Sequence, residues 1–329
     1  MDVNKKTNRR EGHLRAGGPP VEQSVRSAEG AEKERIGGWL YAFWKFSRPH
    51  TIIGTSLSVL GIFAIALSRS TVSVDDGLLA VGAWIACLCG NVYIVGLNQL
   101  EDVAIDKVNK PHLPLASGEF SVGTGRLIVA VTGVLALVLA WVQSLYLLGM
   151  VAVSLAIGTA YSLPPIRLKR FPFWAALCIF TVRGAVVNLG LYGHFSGDLR
   201  VPETVWALTL FIIVFTIAIA IFKDIPDLEG DRQYQITTFT IALGQERVFN
   251  LARWLLTVCY LGLVVGVFWL PGVNAALLVS THLGLLGLMW WRSFGVDLQD
   301  KAAIASFYQF IWKLFFLEYL LFPAACLLG

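Results

Sequence analysis

Nine long apolar segments constrain this chain more strongly than any other feature of its sequence. They lie at residues 50–68, 78–99, 126–142, 145–162, 173–193, 204–222, 250–270, 274–291 and 307–327. About 20 apolar residues cross the hydrocarbon core of a bilayer as an α-helix, and backbone groups in lipid must satisfy their own hydrogen bonds. The segments are too long and continuous for the strands of a membrane barrel. The sequence therefore predicts an all-α, multi-pass integral membrane protein with nine transmembrane helices.

The composition agrees with residence in a membrane. Of the 329 residues, 56% are hydrophobic and 15% are charged, whereas soluble domains carry about 25% charged residues. The net charge of +4 gives no indication of nucleic-acid binding, and no obligatory protein partner is evident. The five cysteines all lie within apolar segments and form no CxxC pair, which is typical of packing residues rather than of a metal site or a disulfide.

The first 36 residues differ from the rest of the chain. They are polar, rich in Arg, Glu and Gly, and lack helical periodicity, so we expect residues 1–36 to be disordered and residues 37–329 to form the membrane domain. The five glutamates of this stretch are not typical of a plastid transit peptide. A cleaved secretory signal is not expected either, because the first apolar segment begins only near residue 50.

Basic residues are distributed unequally between the loops on the two sides of the membrane. Nine spans place the even-numbered loops on the side of the N-terminus. These loops contain twelve basic residues: Lys107, Lys110, Arg126, Arg167, Lys169, Arg170, Lys223, Arg232, Arg247, Arg253, Arg292 and Lys301. The odd-numbered loops contain two, Arg69 and Arg200. Because Lys and Arg are enriched in cytoplasmic loops, we predict that the even-numbered loops face the cytoplasm.

Two acidic clusters follow even-numbered spans and resemble each other. They are NQLEDVAIDK at residues 98–107 and KDIPDLEGDR at residues 223–232. The polar residues at helical spacing are Asn98, Asp102 and Asp106 in the first cluster and Asp224, Asp227 and Asp231 in the second. Each cluster contains the pattern Asp-x-x-x-Asp followed by a basic residue. The two clusters are separated by four predicted spans. This match suggests an internal four-helix duplication, in which spans 1–4 resemble spans 5–8.

Carboxylates at a helix end can be solvated loop charges, but two matched clusters at one membrane level favour a site for a hard cation. Mg²⁺ is the expected ion, because it commonly uses one or two protein carboxylates and completes its shell with water and substrate phosphate. All five aspartates are candidate ligands. Nearby bases would either bind a diphosphate or act as topological anchors. The candidates are Lys107, Arg167, Lys169, Lys223 and Arg232.

Three further polar residues lie at or within the spans. Arg183 is in the middle of the apolar stretch FTVRGAVVNLG, where a charge is costly and usually faces a polar cavity. Asn188, five residues later, could share that cavity, although both residues could instead form polar contacts between helices. Arg48 precedes the first span and is either a site residue or an anchor at the membrane surface.

The clusters and several longer strings resemble the UbiA superfamily of intramembrane prenyltransferases. FSRPHTIIGTSLSV, DKVNKPHLPLASGEFS, YSLPPIRLKRFPFWAAL and AIAIFKDIPDLEGDRQYQITTFT are similar to its homogentisate prenyltransferase branch, and the resemblance extends over residues 39–325. It implies mostly antiparallel helices around a central cavity, with both aspartate clusters binding Mg²⁺ and the diphosphate of the prenyl donor. Glu101 and Ala104 depart from the aromatic and acidic residues expected beside the first cluster, without replacing its carboxylates.

The resemblance also implies a reaction. A prenyl group, with phytyl the expected one, would pass from its diphosphate to homogentisate with loss of CO₂ and diphosphate, as in tocopherol biosynthesis. Candidates for binding the aromatic substrate are Arg48, Tyr161, Arg183 and Asn188, with Arg48 or Arg183 holding its carboxylate. The site would lie on the cytoplasmic or stromal side, and the expected location is a cyanobacterial thylakoid or plasma membrane.

Two other functions stay open at this point. A related enzyme could use another donor or acceptor, such as solanesyl diphosphate, 4-hydroxybenzoate or chlorophyllide. An ion-coupled transporter, which belongs to a different class of protein, would also place carboxylates in the membrane. A transporter is expected to carry them near the bilayer midplane, however, whereas both clusters here lie at the ends of spans.

Overall fold

The computed structural model describes residues 36–198, 200–233 and 238–329, and of residues 229–231 it describes the backbone alone. Within these ranges every regular element is helical and no β-strand occurs. The α-helices are α1 (residues 36–46), α2 (Pro49–Ser68), α3 (Gly77–Glu101), α4 (Val103–Asn109), α5 (Pro114–Ser117), α6 (Val122–Gln143), α7 (Leu145–Ser162), α8 (Pro172–Phe180), α9 (Val187–Ser196), α10 (Glu203–Phe222), α11 (Leu228–Gln233), α12 (Phe239–Leu243), α13 (Gln245–Gly266), α14 (Ala275–Phe294) and α15 (Lys301–Leu327).

The chain divides into two units, Met1–Phe43 and Trp44–Gly329. The described part of the first unit, residues 36–43, is helical, and the rings of Trp39 and Phe43 stack within it with their centroids 5.5 Å apart. The predicted disorder concerns residues that lie outside the described part of the chain, apart from residue 36. The domain boundary between residues 36 and 37 therefore stays a prediction.

Several helices begin where a side chain satisfies the free N–H groups of the first turn. Ser121 and Ser144 accept hydrogen bonds from backbone N–H groups at the start of α6 and α7. Asn274 and Asp300 do the same for α14 and α15. Ser144 also has extended backbone angles. It separates α6 from α7, which confirms the predicted turn between the third and fourth segments.

Eight helical segments in the described part of the chain are long and apolar enough to cross a membrane. They coincide with eight of the nine predicted segments, and they confirm an all-helical, multi-pass protein. The remaining segment, 274–291, lies on α14, a 20-residue helix that is not one of these eight. The count of nine spans and the internal duplication therefore stay predictions.

A buried polar contact joins α14 to α15. His282 Nε2 lies 3.0 Å from Glu318 Oε2, and neither side chain has accessible surface. The other ring nitrogen of His282, Nδ1, lies 2.8 Å from the carbonyl oxygen of Leu278 and must donate a hydrogen bond to it. Removing one partner of a buried ionisable pair typically costs several kcal/mol. The contact therefore helps to hold α14 against α15.

The contacts between the helices of the second unit close on themselves, and we call this arrangement the helix ring; within it α2 also packs against α9, and α10 against α15. α2 packs against α3, α3 against α7, and α7 against α9. On the other side α9 packs against α10, α10 against α13, α13 against α14, and α14 against α15. The last helix, α15, returns to pack against α2, so the end of the chain closes the ring at its beginning. α6 packs on α3 and α7.

The span Pro172–Ser196 is not a regular α-helix, because the segment Thr181–Val186 between α8 and α9 is π-helical. Such turns occur mostly as single bulges within α-helices and are frequent at functional sites. Gly184 lies in this turn and packs on α10. A Cβ atom there would lie 3.0 Å from Ile213 Cα and in still closer contact with Ile213 Cγ1. Glycine therefore allows the turn to approach α10.

We expect Gly184→Ala to lower the midpoint of thermal unfolding in detergent, because overpacking a close contact typically costs about 1–3 kcal/mol. Gly149→Ala on α7 is the matched control. No atom lies within 4 Å of a Cβ at position 149, and alanine favours a helix over glycine, so this midpoint should stay equal or rise. Equal midpoints for the two variants would contradict the packing described here.

Candidate functional site

The first acidic cluster lies where α3 ends, and the helix is broken there by one residue. Asp102 has non-helical backbone angles, φ −113° and ψ 15°, between α3 and α4. Asn98 Nδ2 donates to Asp102 Oδ2 at 3.1 Å. Asp106 lies on the separate helix α4, although its N–H still donates to the carbonyl oxygen of Asp102 at 2.7 Å. The three residues are therefore neighbours without lying on one continuous helix.

The carboxylate of Asp102 accepts hydrogen bonds from two bases in the loop between α7 and α8. Arg167 Nη2 donates to Oδ1 at 3.1 Å, and Lys169 Nζ donates to Oδ2 at 2.6 Å. Arg167 also approaches the carbonyl oxygen of Glu101 at 3.4 Å. Burial lowers the pKa of Lys169 from its ordinary value, and the ion pair with Asp102 opposes this effect. Asp102 thus anchors the loop to the end of α3.

The second acidic cluster begins in a turn of five residues, 223–227, between α10 and α11. Lys223 Nζ lies 3.1 Å from Asp224 Oδ1, and Lys223 also interacts with the hydroxyl of Tyr161 near the end of α7. Burial raises the pKa of Asp224, and Lys223 opposes this rise. Burial alone would lower the pKa of Lys223, but Asp224 and Tyr161 help to raise it well above its usual range. The neighbours of Lys223 therefore favour its protonated form.

Lys110 and Asp106 connect the two clusters. Lys110 Nζ lies 2.5 Å from Asp227 Oδ2. Asp106 is buried, and Arg48 Nη2 lies 3.9 Å from its Oδ2. Burial raises the pKa of Asp106; the cations Arg48 and Lys110 oppose this rise, whereas the carboxylates of Asp102 and Asp227 add to it. The two clusters therefore share one electrostatic environment despite their separation in sequence.

Two of the arginines at this site have left-handed backbone angles. Arg48 has φ 53° and ψ 89°, and Arg167 has φ 39° and ψ 58°. Among the described residues, only Ser70 is a further non-glycine residue with positive φ. Such conformations cost of order 1–3 kcal/mol each and persist where the surrounding structure holds them. Both arginines contact aspartates of the first cluster, so the strain is located where the charges meet.

We call this region of the second unit the aspartate end. Its members are Asn98, Asp102, Asp106, Asp224 and Asp227 with the cations Arg48, Lys110, Arg167, Lys169 and Lys223. Lys110 was not among the predicted site residues; the sequence signal for it is its position one helical turn after Asp106. The predicted Lys107 and Arg232 are exposed, and no ion pair links them to a described carboxylate. The predicted Asp231 has a side chain outside the described part of the structure.

The four predicted aromatic-substrate residues fall into two groups. Arg48 and Tyr161 lie at the aspartate end, as described above. Arg183 and Asn188 lie deeper in the ring and both approach α15. The guanidinium carbon of Arg183 is 5.1 Å from the centroid of the Trp312 ring. Asn188 Oδ1 accepts a hydrogen bond from the hydroxyl of Tyr319 at 2.8 Å.

The carboxylate oxygens of the aspartate end are suitable ligand atoms for a hard divalent cation such as Mg²⁺. In the described part of the chain, no three carboxylate, imidazole or thiol groups form a ready-made metal site. Mg²⁺ commonly needs only one or two carboxylates, however, and takes its other oxygens from water and phosphate. Asp106 Oδ2 is buried without a hydrogen-bond partner among the described groups. A bound cation would stabilise its ionised form and offset the effect of burial.

Comparison with known proteins gives consistent matches over most of the chain. The model of the UbiA prenyltransferase family matches residues 57–314. A homogentisate phytyltransferase from Synechocystis sp. is 57% identical over 295 residues, which cover 87% of this chain and 96% of that protein. The chloroplastic homogentisate phytyltransferase 1 of Arabidopsis thaliana is 44% identical, with 86% and 75% covered. The chloroplastic homogentisate solanesyltransferase of the same plant is 39% identical, with 88% and 78% covered.

A solved structure shares the fold. A UbiA homologue from Archaeoglobus fulgidus, bound to GPP and Mg²⁺, matches with a TM-score of 0.60 and 18% sequence identity. The match covers 86% of this chain and 99% of that chain. The helices of this chain therefore follow a known membrane fold.

We expect Asp102→Ala to loosen the loop at residues 163–171, because two of the bases in that loop are anchored to this carboxylate. Backbone amide hydrogen exchange in the loop, measured by mass spectrometry on solubilised protein, should become faster. Asp227→Ala is the matched control, because its partner Lys110 belongs to a different segment, and exchange at residues 163–171 should stay unchanged. Equal exchange in the wild type and in Asp102→Ala would show that the ion pairs do not anchor the loop.

Proposed function

The chain belongs to the UbiA prenyltransferase family, and on this premise we propose that it transfers a phytyl group from phytyl diphosphate to homogentisate, with loss of CO₂ and diphosphate. The observation that carries the proposal is the convergence of both aspartate clusters with five cations at one end of the helix ring. The acceptor and the donor are supported by the 57% identical relative, which is a homogentisate phytyltransferase.

The proposed reaction is an electrophilic aromatic substitution with decarboxylation, in which the donor exchanges one bond and homogentisate exchanges two. The allylic C–O bond of the donor breaks, and its electron pair leaves with the diphosphate. A ring carbon of homogentisate forms the new C–C bond and releases its proton. The bond to the carboxylate then breaks, CO₂ leaves, and the electron pair stays on the side-arm carbon, which takes up a proton and becomes a methyl group. The product is a methyl-phytyl-benzoquinol.

The bases of the aspartate end would bind the diphosphate and stabilise the charge that develops on it. Lys223 is suited to this role because its neighbours keep it protonated. Arg167 and Lys169 lie on a loop, so they can turn from Asp102 toward a phosphate without moving a transmembrane helix. Charge-assisted bonds from Arg and Lys to phosphate are among the stronger hydrogen bonds in proteins. Stabilising the leaving group lowers the barrier to ionisation of the allylic bond.

The proposed holders of Mg²⁺ are Asp102, Asp106, Asp224, Asp227 and Asp231. When bound, the ion would supply Lewis-acid stabilisation of the departing diphosphate. Each of the four aspartates with described side chains has a basic partner. Diphosphate would draw these bases away and leave the carboxylates available to a metal ion. The basic residues are therefore suited to bind the diphosphate, and the carboxylates are suited to bind the metal ion.

The helix ring would keep water away from the allylic cation, which otherwise reacts with it. The same arrangement lets a donor with a long hydrocarbon chain remain in an apolar environment while its diphosphate reaches the polar end. The excess of basic residues in the even-numbered loops supports a site that faces the cytoplasm or stroma. The proposed location is a cyanobacterial thylakoid or plasma membrane.

The second candidate function is transfer of a different prenyl group, for example solanesyl, to the same acceptor. The 39% identical relative, a homogentisate solanesyltransferase, keeps this alternative open. Ion-coupled transport has no comparable support. The aspartates of both clusters lie at the ends of helices and are matched by bases, rather than lying alone near the middle of the membrane.

The direct test offers the protein, in membranes or nanodiscs, homogentisate with phytyl, geranylgeranyl or solanesyl diphosphate, each with and without Mg²⁺. We expect a prenylated quinol, with phytyl the preferred group and no product without divalent metal. Asp102→Ala and Asp227→Ala should each lower turnover by at least about 10²-fold, because each removes an electrostatic group from the reacting site. Metal-independent prenylation, or near-full activity of either variant, would contradict the mechanism. Preference for 4-hydroxybenzoate would contradict the proposed acceptor.

A binding experiment tests the competition between resident bases and metal. Lys110→Met removes the cation beside Asp227, so the variant should bind Mn²⁺, a paramagnetic substitute for Mg²⁺, about two- to fivefold more tightly when diphosphate is absent. Electron paramagnetic resonance of free Mn²⁺ measures this affinity without turnover. Lys107→Met is the control with the same change in net charge at an exposed position, and it should change the affinity less. Weaker Mn²⁺ binding by Lys110→Met would refute the competition.

A further inference from the structure

Arg183 differs from the other cations around the proposed site. Arg48, Lys110, Arg167, Lys169 and Lys223 each lie within 4 Å of an aspartate oxygen. No carboxylate of the described residues lies within that distance of the Arg183 guanidinium. The ionisable groups that influence it are the hydroxyls of Tyr319 and Tyr308 and the ring of His50. Among the described residues the guanidinium therefore has no anionic partner, and it lies in the middle of a transmembrane segment.

The surroundings of Arg183 hold it inside the helix ring rather than toward lipid. Its guanidinium carbon lies 5.1 Å from the Trp312 ring centroid and 5.6 Å from that of Phe315, both on α15. A Cβ atom at Gly54 of α2 would lie 3.1 Å from Arg183 Nη1 and 3.6 Å from the ring of Phe315. Two aromatic rings and a glycine thus form a slot for the planar guanidinium, and the side chain as a whole is still only half-buried.

The π-helical turn explains how Arg183 shares this region with Asn188. Five residues correspond to about 140° of rotation away from a common face on a regular α-helix. The extra residue of the π-turn changes this register. Asn188 accepts a hydrogen bond from the hydroxyl of Tyr319, and the same hydroxyl influences the charge of Arg183 electrostatically. Asn188 Nδ2 is buried without a partner among the described groups, so the region contains a second unused donor.

We propose that Arg183 binds the carboxylate of the aromatic acceptor and thereby orients its ring toward the aspartate end. The inference rests on the proposed function, because it assigns one group of homogentisate to one residue. A charge within the membrane is costly and normally faces a partner or a polar cavity. No carboxylate of the described residues lies beside the guanidinium, and the carboxylate of an anionic substrate would be such a partner. A planar guanidinium also matches the geometry of a carboxylate.

The depth of Arg183 favours the acceptor over the donor's diphosphate as its ligand. The guanidinium lies beside Gly54, which is six residues and therefore about 9 Å of helix rise beyond Arg48 on α2. The bases that suit a diphosphate are all at the aspartate end. A single aromatic ring with a carboxymethyl arm can extend from Arg183 toward that end. Arg48, the other candidate for the carboxylate, lies at the aspartate end itself, where its Nη2 is 3.9 Å from Asp106 Oδ2.

The test compares homogentisate with its uncharged amide, 2,5-dihydroxyphenylacetamide, in equilibrium displacement of labelled homogentisate from protein in nanodiscs. No prenyl donor is present, so the measurement reports binding alone. We expect the wild type to bind the acid about 10- to 100-fold more tightly than the amide, the range for hydrogen bonds to charged groups. Arg183→Met should lose this preference, and Arg183→Lys should keep part of it. Affinity for the prenyl diphosphate should stay unchanged in both.

Two further variants guard against a general loss of structure. Gly54→Ala keeps the charge but crowds the guanidinium, and it should reduce the preference for the acid while leaving amide binding intact. Arg48→Met is the matched control: it removes a cation next to Asp106, so donor affinity should fall while the preference for the acid is retained. If Arg183→Met does not fold, the preference of Gly54→Ala for the acid over the amide tests the inference instead.

The outcomes separate this inference from the proposed function. A wild type that neither binds nor prenylates homogentisate overturns the proposed function, and the inference with it. A wild type that prenylates homogentisate, with the acid preference unchanged in Arg183→Met or in Gly54→Ala, overturns the inference alone. If Arg48→Met loses the preference for the acid and Arg183→Met keeps it, the substrate carboxylate binds at Arg48. That result also overturns the inference about Arg183.

Discussion

Charge pairing at the edge of a low-dielectric medium is the interaction on which this structure depends. Moving a carboxylate or an ammonium out of water costs several kcal/mol per ion, and the aspartate end collects four described aspartates and five cations. The cost is offset because each of these aspartates has a base within 4 Å. The break at Asp102, the loop at residues 163–171 and the turn at residues 223–227 all lie where they bring such pairs together.

The two acidic clusters reach one electrostatic environment through different local structures. The first consists of two helices separated by the single residue Asp102, whereas the second has a five-residue turn that contains Pro226. Proline lacks a backbone N–H and cannot continue a helical hydrogen-bond pattern. Similar spacing of carboxylates in the sequence therefore does not produce similar backbones. The chemical equivalence of the clusters lies in the positions of their charges and in the bases that each one attracts.

The sequence predicts those features that bilayer thickness and charge alone determine. Bilayer thickness sets the length of a span, so eight predicted segments coincide with helices, and the aspartates could be recognised from their spacing. The position of Lys110 one helical turn after Asp106 is a local signal, but its pairing with Asp227, 117 residues away, cannot be read from local spacing. The location of Arg183 and Asn188 near Tyr319 could not be predicted, because it depends on the π-helical turn and the residue pattern gives no signal for that turn. The contact between His282 and Glu318 is likewise visible only once α14 and α15 are packed together.

The lone cation at Arg183 gives the loss of CO₂ a further consequence. A substrate held through its carboxylate is tethered, and a tethered product would occupy the cavity. Decarboxylation removes that group from the molecule at the stage when the prenyl chain has been attached. What remains is an uncharged quinol with a long hydrocarbon tail, for which the bilayer is the favoured solvent. If Arg183 holds the substrate as proposed, decarboxylation would both complete the product and release it from the guanidinium, which could then bind the next acid.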